Sequence, residues 1–108
     1  MTAMLYENTA RRGRVVAMER VKRLLSETGN LRSMLISYRY EPTTERFFNL
    51  REALWERLNA LEGRCRQALG AMRGREVPGF AGRQAEDLYS EYTRLEGDTW
   101  EYLRAVRH

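Results

Sequence analysis

From Ala81 to Val106, the residues Ala81, Ala85, Leu88, Tyr92, Leu95, Thr99, Tyr102 and Val106 recur at alternating spacings of four and three. A strand turns its side chains to alternate faces with period two, so this rhythm excludes one. Sustained over nearly four repeats, it specifies a helix packed lengthwise on other helices. Val77-Pro78-Gly79 supplies the break that starts it. Gly97 lies inside the pattern and costs about 1 kcal/mol against alanine, which the long seam outweighs.

The middle of the chain carries a second such face. Phe47, Leu50, Leu54, Leu58, Leu61, Cys65, Leu69 and Met72 follow one another at spacings of three or four. Pro42-Thr43-Thr44 marks the start, with Thr43 as N-cap and Glu45 favourable at the positive end of the helix dipole. Gly74 is placed to end the helix, with arginines suited to its negative end. Gly63 and Gly70, seven apart, are either tolerated interior glycines or a face that lets a neighbouring backbone approach closely.

The first forty residues hold two shorter seams: Met18, Val21, Leu25 and Thr28, then Leu31, Met34, Leu35 and Tyr38. Thr28-Gly29-Asn30 between them reads as the end of one helix and the cap of the next. A single helix running through is the alternative, because elements of roughly 35, 30 and 27 residues make a matched three-helix bundle. The expected fold is all-α: one domain over residues 1–108, a three- or four-helix up-down bundle with a short second helix or a long broken first one. Tyr38 and Tyr40 are placed to cover one bundle end. Trp55 and Trp100 flank seam positions, where a large ring closes a core edge.

An apolar fraction of 43% suffices for a single core. No apolar run is long enough to span a membrane, and the opening MTAMLYENTARRGR does not read as a secretory signal. Cys65 is the only cysteine, which excludes an internal disulfide and fits a reducing cytosol. Its seam position reads as a buried small hydrophobe rather than a nucleophile. His108 is the only histidine and falls at the very end, so no metal-ligand cluster forms, and the glycines match no phosphate-binding loop. No cofactor, small-molecule substrate or catalytic residue is expected. Helical chorismate mutases also project arginines into a bundle, but their opening pattern is missing around Arg20 and Arg23.

Charge is the remaining signal. Net charge is +4, yet residues 1–40 carry eight basic and three acidic side chains while residues 77–108 carry four and six. A basic front and an acidic tail point to an anionic partner or to self-association. Arg11, Arg12, Arg14, Arg20, Lys22 and Arg23 form one group, and Arg64, Arg66, Arg73 and Arg75 a second. In an up-down bundle the early part of the first helix lies beside the late part of the second, so both groups are expected at one end. There they would face the phosphate backbone of RNA or single-stranded DNA, since guanidinium forks match phosphate oxygens. The competing reading is a solvated surface with some arginines paired to Glu86 and Asp87 of the last helix.

In size, helical class, basic front and absence of catalytic motifs, the chain resembles the helical small subunits of CRISPR surveillance complexes. That resemblance implies a cytoplasmic ribonucleoprotein subunit in antiviral defence, which holds a nucleic-acid strand through basic side chains and packs on protein neighbours or further copies of itself. Tyr92-Thr93-Arg94-Leu95-Glu96 also fits the tail pattern of the secreted helical-hairpin proteins of mycobacterial type. However, Trp55 is followed by Glu56-Arg57 rather than their Trp-x-Gly turn. A protein-only binder, such as a phage-encoded inhibitor or structural adaptor, is the alternative function.

Overall fold

The computed structural model describes the backbone of residues 2–74 and 79–107 and the side chains of 12–74 and 79–107. The described chain is an all-α rod of 64 × 19 × 17 Å, built from three long helices: α1 (Thr2–Leu35), α2 (Glu45–Met72) and α3 (Phe80–Val106). Each packs against the other two. A short 3-10 turn at Tyr38–Tyr40 joins α1 to α2. The break at Pro78 and the terminal His108 lie outside the described residues.

The α3 seam is as the spacing requires: all eight of its residues are buried, with Leu103 beside them. Thr99 sits fully inside the core because its hydroxyl donates to the Leu95 carbonyl at 2.8 Å, which removes the cost of an unpaired polar group. Gly79, at φ 83°, supplies the left-handed residue that leads into this helix.

No break occurs at residues 28–30; α1 runs through them. Among its described side chains the buried ones, Ala17, Val21, Leu24, Thr28, Leu31 and Leu35, keep a four-three rhythm of their own. Thr28 fits because its hydroxyl donates to the Leu24 carbonyl at 2.7 Å, while Gly29 and Asn30 fall outside the buried row. Met18, Leu25 and Met34 flank the seam and are only partly buried.

In α2, Leu54, Leu58, Leu61, Cys65, Ala68, Leu69 and Met72 are buried, but Leu50 is 44% exposed. Arg51 takes the seam position in its place, largely sheltered and paired with Glu41 at 3.7 Å. Phe47 is half-buried and meets Tyr102 edge-on, ring centroids 6.2 Å apart. The cap is Thr44, not Thr43: its hydroxyl accepts from the Phe47 N–H at 3.2 Å. The helix closes on a tight turn, Gly74 N–H to Ala71 carbonyl, rather than on a left-handed glycine. A side chain at Gly63 or Gly70 would meet nothing within 4 Å, so no neighbouring backbone approaches there. Tyr40 packs on the core, whereas Tyr38 is 82% exposed. No helix among the described residues is long and apolar enough to cross a membrane.

Candidate nucleic-acid interface

Cross-helix pairs fix how the basic residues line up. Arg20 of α1 reaches Glu86 of α3 at 3.4 Å, so Phe80, the first residue of α3, lies roughly level with Arg14. Arg32 of α1 donates to Asn59 at 2.7 Å and pairs with Glu62, both on the antiparallel α2. Met72, which ends α2, is therefore about level with residues 19–22 of α1. The start of α1 consequently runs beyond the first residue of α3 by roughly three turns, about 18 Å at 1.5 Å per residue.

Arg12 is exposed and Arg14 partly so at the root of this projection. Arg23 and Arg73 are exposed near the level where α2 ends, and these four arginines are in no ion pair among the described residues. Arg20 is held more closely, since it also lies 5.6 Å from the centroid of the Tyr89 ring. Lys22 pairs with Glu19 at 3.6 Å. The backbone of Arg11 is part of α1, but its side chain, like all of Arg75, lies outside what is described.

The second group does not join the first on one face. Arg64 and Arg66 lie roughly 10–15 Å further along the rod, by helical rise. They also point to different seams. Arg64 pairs with Glu91 on α3, while Arg66 donates to Glu62 at 2.6 Å, the carboxylate that also faces Arg32 of α1. Arg73 alone of the described members comes to the level of Arg20 and Arg23. The expected carboxylate partner Glu86 is found on Arg20, whereas Asp87 is in no ion pair among the described residues.

In the sequence Val15 and Val16 point away from the Met18 seam, which leaves them either wrapped by the bundle or exposed to a partner, and the structure leaves them exposed. Val15 is 53% and Val16 59% exposed, because the seam passes through Ala17 and leaves both on the outside of α1. Val16 and Ala17 line a shallow hollow with Arg12, Arg20 and Gly82. The surface combines cationic forks with a small apolar patch, and can hold an anionic chain by charge and line it by contact. Cys65 lies away from it in the core, where burial pushes the thiol up to about 11 against the lowering field of Arg64. Set against family models, curated proteins and solved structures, the chain matches none.

Proposed function

We propose that this chain is a non-catalytic helical subunit of a cytoplasmic nucleoprotein assembly, of the type that CRISPR effector complexes use. The start of α1 grips nucleic-acid phosphates and the other faces meet protein neighbours. One observation carries the reading. Arg12, Arg14, Arg23 and Arg73, spread between the root of the projection and the level where α2 ends, are in no ion pair among the described residues, which leaves their guanidinium groups open to an anion. Surface ion pairs are worth little, so Arg20 exchanges Glu86 for a phosphate at small cost. The contacts are to backbone, so binding is salt-sensitive and indifferent to sequence.

The test is fluorescence anisotropy with labelled single-stranded RNA and DNA across a salt series. Changing Arg12, Arg14 and Arg23 to glutamine should weaken binding and flatten the salt dependence by about 0.7 in slope per lost contact on a single strand. A wild-type chain that binds neither strand at low salt overturns the reading. The protein-only binder then takes its place, a phage-encoded inhibitor or structural adaptor, with exposed Val15 and Val16 as the observation that favours it.

A further inference from the structure

The crease between α2 and α3 holds two open cavities along its length. One, about 400 Å³, is floored by Phe47, Leu50, Leu54 and Tyr102, with exposed Ala53 and Ala105 at its rim. The other, about 450 Å³, lies nearer the end of α2, between Ala68 and Ala71 on one side and Leu88 on the other. The walls are opposite in sign. Arg46, Arg57 and Arg64 run along the α2 wall, while Asp87, Glu91, Asp98 and Glu101 run along the α3 wall. Two opposite pairs stand at matched levels: Arg57 meets Asp98 at 2.9 Å and Arg64 meets Glu91 across the crease.

We infer that this face is a self-association surface, on which a second copy of the chain docks about a two-fold axis parallel to the helices. The charge pattern selects both the occupant and the axis. A nucleic acid would be repelled by the acidic wall, and a uniformly charged peptide would suit only one wall. A surface that complements both is the same face turned around. A two-fold axis lying across the helices would set α2 on α2 and arginine against arginine. An axis along the helices sets α2 of each copy on α3 of the other, so Arg57 faces the partner subunit's Asp98 and Arg64 faces the partner subunit's Glu91, twice over. Each level then carries four alternating charges in place of one exposed pair. Leu50, 44% exposed in the single chain, enters the apolar floor, and the small Ala53 and Ala105 let the facing helices close to ordinary packing distance. The same axis puts both α1 projections at one end. This inference does not rest on nucleic-acid binding.

Sedimentation velocity on the full chain over a concentration series tests it, with helicity followed by circular dichroism. The wild type is expected to sediment as a dimer of 12.8 kDa chains at the upper concentrations. Leu50→Lys, at an exposed position outside the ion pairs, should raise the dissociation constant by at least about tenfold. The Arg57→Glu/Arg64→Glu and Glu91→Arg/Asp98→Arg variants should each sediment as monomers alone and form a heterodimer when mixed. A wild type that stays monomeric overturns the inference. So does a dimer that Leu50→Lys leaves intact, or a pair of folded reversal variants that do not associate on mixing. If the reversal variants lose helicity, the Leu50→Lys result decides.

Discussion

Two stretches of α1 put their arginines and apolar residues to opposite uses. From Leu24 to Leu35, every third or fourth residue is buried, and Arg32 lies 5.8 Å from the centroid of the Trp55 ring while bonding Asn59 and pairing with Glu62. From Arg12 to Arg23 only Ala17 and Val21 are buried, two valines face outward, and the arginines are mostly unmatched by carboxylates. One helix is thus a structural member along one stretch and a presented surface along the other. The difference comes from register: α2 and α3 both flank the second stretch, whereas α2 ends near the level of residues 19–22 and α3 begins only near Arg14.

Side-chain truncation should expose this contrast most strongly. Leu31→Ala removes a buried side chain and should cost about 2–5 kcal/mol. Val16→Ala trims an exposed one and should stay within about 0.5 kcal/mol. Chemical denaturation followed by circular dichroism measures both. Comparable losses at the two sites would mean that the first half is packed after all.

Cys65 reports on the same core from α2. Burial keeps its thiol neutral, with the pKa raised from 9.0 to about 11. The unfolded chain ionises first, so this contribution to stability is complete below pH 9 and is lost as pH climbs from there to about 11. At pH 8 the native thiolate population is about a hundredfold smaller than in the unfolded chain, and labelling should slow at least in proportion. Labelling at the unfolded rate in native buffer would place Cys65 at the surface and shift the register of α2.

The arginines separate the halves by a smaller margin. Glu62 is largely sheltered and faces both Arg32 and Arg66, so Arg32→Ala strips one partner from a carboxylate with limited access to water. The expected cost is about 1–3 kcal/mol. Arg20→Ala breaks a 3.4 Å pair between exposed groups and should cost no more than about 0.5 kcal/mol. Double-mutant cycles of Arg32 with Glu62 and of Arg20 with Glu86 give the two coupling energies directly. Equal couplings would remove the ground for treating Arg20 as available to a phosphate.

How far these assignments can be read from sequence depends on which residues fill each seam. The α3 seam is legible because its large members, Leu88, Tyr92, Leu95 and Tyr102, stand on the four-three rhythm and no competing apolar row runs beside it. In α1 Val21 and Thr28 are read correctly, but Met18 is more apolar than the small Ala17 that is buried, and Leu25 is as apolar as the buried Leu24 beside it, so spacing alone picks the wrong neighbour at both places. The Gly29-Asn30 pair resembles a terminus only if its orientation is ignored; outside the buried row it is tolerated. Leu50 deceives for the opposite reason: it looks like core, but Arg51 holds the seam and pairs with Glu41. The arginine surface is legible as charge but not as a face, since Arg64 and Arg66, two apart on a helix, point about 200° apart, and only the packing of the three helices decides that one meets Glu91 of α3 and the other Glu62 of α2.

The finest comparison places the same substitution in both halves of α1. Neither Gly13 nor Gly29 has anything within 4 Å of where a side chain would go, and neither has positive φ. Alanine at either position is therefore unstrained and gains helix propensity, worth about 0.5–1 kcal/mol in a helix interior. At Gly29 the gain should appear in global stability, because that turn unfolds with the core. At Gly13 it should appear chiefly as local protection, since a projecting turn opens without unfolding the bundle and its contribution is released early. Amide hydrogen exchange resolves the two cases: Gly29→Ala should slow exchange across the core amides, and Gly13→Ala should slow it only near residue 13. Loss of stability in Gly29→Ala would restore the break at residues 28–30, because only a glycine held in a left-handed turn is harmed by the exchange.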